Sequence, residues 1–389
     1  MRAFCLFLKG NPTTSQWRRN VRLFFVGRGR LRNQLQIASK TNGKMQQNPN
    51  QRVVYLDLLR VLATFAVIFL HVSAAEFLDF HFSKDWYVSL VGDSLVRWCV
   101  PVFVMISGAL FLRPERNVTY REILRLRVPR LLVAYIFWTV VFVMYGFFMT
   151  GFYGFSVKHL IRRSILGSHF HLWFLPMLMG VYLLIPILRK IAQDRKLLRY
   201  ALVIWMVYIF VGFFQFSEAF KLMKHFYSLF TMNTIVGFAG YFLLGYYLST
   251  HSFSRRQRIW IYLFGICGAL VTVFGTYFIS TSTGEANGRY FSNLSVQVMA
   301  MGTTLFVLIK QLAPKCGNVL LRLNDFVRKD LFGVYLTHAL WLPVVNTEAF
   351  RHCCSEIITL PLITIIVFIL SLFTTKLIRL IPYLRKVVE

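Results

Sequence analysis

Tyr55-Leu-Asp-Leu-Leu-Arg-Val-Leu-Ala-Thr-Phe-Ala-Val-Ile-Phe-Leu-His-Val-Ser-Ala74 is the stretch whose reading decides the fold. It is long and apolar enough for one helical crossing of a bilayer. Asp57, Arg60 and His71 interrupt it, and ionisable groups inside such a segment need partners, water or a task. On a helix of roughly 100° per residue, Arg60 and His71 share one face, roughly 16 Å apart along the axis. Asp57 and Thr64 fall on the same face. Two readings follow. In the first, Asp57 and Arg60 pair at the membrane boundary and His71 bonds a neighbouring helix. In the second, the stripe is a track for a long molecule with a charged head. His71 is then a general base or acyl carrier, and Arg60 binds a phosphate or orients a thioester.

Similar apolar runs recur to the end of the chain, and hydrophobic residues make up 57% of it. Ten segments are predicted to span: about 55–74, 92–112, 131–149, 170–188, 199–215, 231–249, 259–279, 291–309, 331–347 and 357–375. The fold class is therefore an all-α integral membrane bundle of about ten transmembrane helices. Neither an internal repeat nor a linker long enough for a soluble domain is evident.

The net charge of +29 raises nucleic acid as a partner, and its distribution argues against one. With the loops numbered alternately, one side receives 34 of the 44 Lys and Arg. The other receives nine, and Arg60 lies inside a span. By the positive-inside rule the rich side is cytoplasmic, which places both termini there. Most of these cations then report topology and contact with membrane lipid. The six cysteines show no metal-ligand spacing, so no metal site is expected. Cys353 and Cys354 are adjacent and face outside in this topology. Asn117-Val-Thr119 falls on the cytoplasmic side and Asn293-Leu-Ser295 inside a span, so neither reads as a glycosylation site.

Residues 1–50 read differently: basic, then rich in Gln and Asn, with no membrane-length run and no signal-peptide pattern. They are expected to be a poorly ordered extension, and Met45, just before the first span, is a plausible translation start. Residues 51–389 form the membrane domain.

Four further constellations carry chemistry. Tyr120-Arg-Glu-Ile-Leu-Arg125-Leu-Arg127-Val-Pro-Arg130 leads into the third span, with Pro129 suited to a helix opening. Its arginines suit a phosphate by their planar fork, or anchor the topology. His169-Phe-His171-Leu-Trp173 opens the fourth span from outside, either as an interfacial aromatic belt or as a rim for a sugar stacked on Trp173. Gly333-Val-Tyr335-Leu-Thr-His338 places an imidazole inside the ninth span, for helix packing or for the site. Arg97, ahead of Pro101, belongs with these and could steady a developing oxyanion. Glu76, Asp79 and Asp85 follow His71, and any could orient its ring.

Together these pieces resemble the membrane acyltransferase-3 family of bacterial O-acyltransferases. The matching stretches are Tyr55 to His71, Pro101 to Gly108, Arg127-Val-Pro-Arg130 with Tyr135 and Trp138, Leu172 to Leu175 through Pro186, and Gly333 to His338. They run in order over about residues 52–380. Within the family the pattern looks most like the branch that acetylates enterobacterial common-antigen polysaccharide. The resemblance implies a ten-span bundle in a bacterial inner membrane. Acetyl-CoA from the cytoplasm would serve as co-substrate with no bound cofactor. A glycan or lipid-linked glycan would be the acceptor. It also implies that His71 is the catalytic imidazole, Arg60 its essential partner, and Arg125, Arg127 and Arg130 the donor-binding motif. The family's Arg-x-Arg spacing fits Arg125-Leu-Arg127, whereas Arg127-x-x-Arg130 fits the run into the span. His169, His171 and Arg97 carry over as acceptor or supporting residues, and Asp57, Trp173, Tyr335 and His338 stand beside them as candidates for the same roles from the residue reading above. The rival classes are a glycolipid transporter or flippase, which also places charge in spans, and a structural membrane subunit without chemistry.

Overall fold

A computed structural model describes residues 53–116, 118–149, 156, 158, 169–214, 234–351 and 354–388. The expectations for residues 1–50, Met45 included, lie outside these, as do Cys5, Asn117 and Cys353. The described residues are helical and contain no strand. In chain order the helices are α1 (Val54–Leu78), α2 (Lys84–Val96), α3 (Cys99–Phe111), α4 (Tyr120–Met149), α5 (Phe174–Leu183), α6 (Ile185–Gln193) and α7 (Arg195–Phe214). They continue with α8 (Thr234–Thr250), α9 (Arg255–Thr283), α10 (Val296–Leu312), α11 (Asn318–Val327), α12 (Leu331–Val345) and α13 (Glu356–Leu380).

Six helices are long and apolar enough to cross a membrane: α1, the α2–α3 rod, α4, α9, α10 with its extension to Lys315, and α13. The α5–α6 pair, bent by 58°, is a seventh if counted as one span. Each of the ten predicted segments carries a helix, but α7, α8 and α12 fall outside this set. α8 has 17 residues and α12 has 15, shorter than a perpendicular crossing of about 20. α7 opens on Arg195, Lys196 and Arg199.

Prolines set the breaks that matter. Pro101 has no N–H to offer the Arg97 carbonyl, and the α2–α3 rod is interrupted at Arg97 and Trp98. Pro186 removes the bond to the Tyr182 carbonyl, beside the α5–α6 bend at Leu184. Pro129 does not open its helix, as the sequence led us to expect. α4 starts earlier, at Tyr120, where the Thr119 hydroxyl accepts from the Glu122 N–H at 3.2 Å. The helix then widens into a π-helical turn over Ile123–Arg127, in which the Val128 N–H bonds the Ile123 carbonyl. Asn293 is a second correction. It lies in the loop before α10, because Ser295 is extended (φ −129°, ψ 153°) and the helix begins only at Val296.

The bundle has a basic end and a far end. At the basic end, Arg189 of α6 bonds the Phe111 and Arg113 carbonyls. Lys310 of α10 bonds the Leu248, Ser249 and His251 carbonyls, and Arg379 of α13 pairs with Asp330. At the far end, Asn346 donates to the Val72 carbonyl at 3.2 Å and Arg351 pairs with Glu76 at 2.6 Å. Between them α3 and α8 pack most closely. A Cβ at Gly108 would strike the Phe242 backbone, and one at Gly245 the Met105 backbone. The chain returns after α13 in a single 3₁₀ turn, Leu384–Val387. Val387 and Val388 are buried in an apolar cluster with Ala66 and Val67 of α1, Trp138 of α4 and Leu336 of α12. The Trp138 indole N–H donates to the Val387 carbonyl at 3.0 Å.

Candidate active site between two cavities

The first cavity opens at the basic end and encloses about 610 Å³. Its cationic lining comes from four elements: Arg60 of α1, Arg127 and Arg130 of α4, Arg328 and Lys329 from the segment before α12, and Arg379 and Arg385 at and beyond the end of α13. Among the described residues no carboxylate lines it. Asp57, Glu122, Asp325 and Asp330 stand behind four of the cations, bonding Arg60 (3.6 Å), Arg127 (2.7 Å), Arg328 (3.1 Å) and Arg379 respectively. These bonds hold guanidinium groups in place, so part of the ordering cost is met before a ligand arrives. The π-helical turn matters here. It offsets the Arg side chains of α4, and Arg127 and Arg130 reach the cavity whereas Arg125 is exposed and does not line it.

Away from this rim the lining turns apolar: Phe103, Ile106, Phe174, Leu175, Leu178 and Tyr335. Thr64 also lines it, its hydroxyl donating to the Arg60 carbonyl at 2.8 Å. The stripe read from the sequence therefore holds for its first half, with Arg60 and Thr64 both on the wall. Asp57 takes the ion-pair role.

Phe103, Phe174 and Tyr335 form an aromatic wall, with ring centroids 5.8–6.5 Å apart. On its other side sits a cluster of imidazoles. The His71 ring stacks on His338 at 5.4 Å with a 19° interplanar angle, and meets Phe170 at 4.6 Å. His338 lies 5.0 Å from His171, and Nδ1 of His171 is 3.1 Å from Nδ1 of His169. The Tyr335 hydroxyl donates to the His171 carbonyl, tying the wall to the cluster. His338 Nδ1 lies 2.5 Å from the Tyr335 carbonyl. That nitrogen must carry the proton, which leaves Nε2 as an acceptor. Nε2 of His338 and of His171 are both buried without a protein hydrogen-bond partner, and buried polar atoms of this kind call for a reason. Burial holds the His169 imidazole down at about 4, so it is neutral near pH 7. Its contact with His171 is then one N–H facing one lone pair. None of the carboxylates proposed to orient His71 does so. Glu76 pairs with Arg351 and, at 3.3 Å, with His81, while Asp79 and Asp85 form no ion pair among those described.

The second cavity, about 570 Å³, lies at the far end. It is lined by Arg97, Trp173, Phe238 and the loop Gly288 to Leu294. Arg97 pairs with the fully buried Asp93, and its guanidinium lies 3.8 Å above the Phe291 ring. The segment His171-Leu-Trp173-Phe174 thus divides the two cavities. Phe174 faces the basic one, Trp173 the far one, and His171 the cluster between.

A family model described as an acyltransferase domain matches residues 53–378. The chain belongs to the membrane acyltransferase-3 family. No curated protein and no solved structure matches it. Membership makes the protein a multi-pass membrane acyltransferase, and the sequence resemblance is correct at that level. Reasoning from sequence singled out Arg60, Arg127, Arg130, His71, His169, His171, Tyr335 and His338, which the fold gathers along one axis. It missed Arg328, Lys329, Arg379 and Arg385, because in one dimension a cation that anchors topology and one that lines a cavity look alike. Asp330, buried beside the ninth segment, was the available signal.

Proposed function

We propose that this membrane acyltransferase moves an acetyl or similar short acyl group from cytoplasmic acyl-CoA to a hydroxyl of a cell-surface glycan or lipid-linked glycan. On this reading the protein lies in a bacterial inner membrane with about ten crossings and both termini in the cytoplasm. The early resemblance to the branch that acetylates enterobacterial common antigen favours acetyl as the group and a surface polysaccharide as the acceptor. One observation carries the proposal: the buried His171 and His338, each with an unmatched Nε2, cluster with the half-buried His71 and His169 beside Tyr335 of the cation-lined cavity and two residues from Trp173 of the second one.

The chemistry follows from the charges. A CoA-like donor has a phosphorylated head that cannot enter lipid and an extended arm that can. Arg127, Arg130 and their neighbours suit the head. The arm runs past Thr64 and between Phe103, Phe174 and Tyr335. His71 is about 10 Å beyond Thr64 along the same helix. In one route His71 takes the proton of the acceptor hydroxyl as its oxygen attacks the thioester carbonyl. The C–S bond then breaks and the CoA thiolate receives that proton. In the other, the imidazole attacks first, CoA leaves as the thiol, and the acyl-imidazole is discharged by the acceptor. Arg60 orients the donor from the cavity wall, and His338 supports His71 by stacking.

Purified protein given acyl-labelled acetyl-CoA and a membrane glycan extract tests this reading. Labelled glycan is expected. Movement of lipid-linked sugar across a liposome with no labelled product would replace the reading with a transporter.

A further inference from the structure

The far cavity has a composition unlike the basic one, and that composition points to its ligand. Trp173 lines this cavity and is 41% exposed, so its indole face is open to a ligand. Its ring is braced by Phe238 at 5.9 Å and Phe174 at 6.3 Å, so its plane is set before any ligand arrives. Around it stand Arg97, Arg289, Ser292 and Asn293. A sugar ring presents C–H groups on its face and hydroxyls around its edge. An indole face rimmed by guanidinium, hydroxyl and amide groups is the complement of that pattern. The site is a wide-mouthed depression of about 570 Å³, open enough to admit part of a larger glycan.

The loop that forms the opposite wall is held rigidly. The Tyr241 hydroxyl donates to the Asn293 carbonyl at 2.6 Å. The Gln297 amide donates to the Tyr290 carbonyl at 3.1 Å, and the Ser295 hydroxyl to the Ser292 carbonyl at 2.7 Å. Arg97 joins this wall to the reaction centre. It is locked by Asp93 and by the Phe291 face, its Nε is buried without a partner, and Trp173 beside it lies two residues from His171, whose ring is 5.0 Å from that of His338.

We infer that the far cavity is the acceptor subsite, holding one sugar ring face-on against Trp173 so that a ring hydroxyl passes Arg97 toward His71. This rests on the acyl-transfer reading above and adds the place and manner of acceptor binding. Trp173 and Arg289 set affinity for the sugar, and Arg97 is a positioning residue for its hydroxyl.

The test uses the full chain in lipid nanodiscs, labelled acetyl-CoA, and a carbohydrate extract of the source cell's membranes. Transfer is measured as each substrate is varied in turn. In Trp173→Ala the extract concentration giving half-maximal rate is expected to rise about tenfold, while the half-saturating acetyl-CoA concentration stays within twofold. Trp173→Phe is expected to recover most of the loss, and Arg289→Gln to raise the same acceptor term by about threefold. Thermal unfolding of each variant separates loss of fold from loss of binding, and Trp173→Phe and Arg289→Gln keep the test alive if the alanine variant is unstable. Unchanged acceptor dependence in both Trp173 variants and in Arg289→Gln overturns the subsite, as does a rise confined to acetyl-CoA. A wild-type protein that labels nothing overturns the acyl-transfer reading itself, and the subsite with it.

Discussion

The two cavities are of opposite character. The basic one gathers seven cations from four parts of the chain and narrows to aromatic rings. The far one offers two arginines, one exposed indole, two phenylalanines and a loop that sets Ser292 and Asn293 beside Leu294. A site lined by many cations recognises a polyanion by charge, whereas one built on an indole face recognises shape and hydroxyls. Two spaces of unequal chemistry suit two different substrates, and the imidazoles beside both are where two such substrates could meet. A transporter would instead be expected to offer one ligand similar groups along its whole path.

The comparison can be broken at its centre first. His71→Ala is expected to lower transfer by about a thousandfold, in the range of about 10²–10⁴ for a lost acid–base group. Unfolding temperature and both half-saturating concentrations should change little. Full transfer in that variant would move the chemistry to another residue, with His338 next in line. The basic side is tested by Arg127→Ala combined with Arg130→Ala. Loss of two charge-assisted contacts at a solvent-facing rim, about 1 kcal/mol each, is expected to weaken acetyl-CoA binding roughly thirtyfold. Isothermal titration with acetyl-CoA measures it, and an unchanged affinity would return both residues to topology anchors. Tyr335→Phe removes only the hydroxyl that bonds the His171 carbonyl. A fall of about fivefold in maximal rate is expected, with neither substrate's half-saturation altered by more than twofold. Arg125→Ala should be nearly silent, below twofold in both affinity and rate, because its side chain is exposed and off the cavity wall. A large effect there would mean that the π-helical turn is not the register the working protein uses.

That last pair shows what a sequence can and cannot carry. The helical nature of the bundle and the shared face of Arg60 and Thr64 were legible from composition and period alone. So was the Asp57–Arg60 pairing, an i,i+3 relation that needs no tertiary information. The choice between Arg125-Leu-Arg127 and Arg127-x-x-Arg130 was not. It turns on a five-residue π-helical stretch, Ile123–Arg127, that ends two residues ahead of Pro129 in a helix that had already begun. The grouping of His71 with His338, 267 positions apart in the chain, needed the fold, since no period links them. Arg385 was harder still. It reaches the cavity only because Val387 and Val388 return into the bundle under Trp138, and a hydrophobic pair in a short tail gives no warning of that. Asn293 was misread as part of a span because hydropathy averages over the turn that frees it.

The most direct measurement is an experimental structure of the protein in a lipid nanodisc with a non-hydrolysable thioether analogue of acetyl-CoA. The expected result places the nucleotide phosphates against Arg127, Arg130 and Arg379, with the acyl carbon beyond the Phe103, Phe174 and Tyr335 rings and within about 4 Å of a nitrogen of the His71 ring, the distance at which reacting atoms align. An analogue bound wholly outside the basic cavity, or one whose acyl end stops short of the wall with His71 turned toward lipid, would contradict the proposed passage.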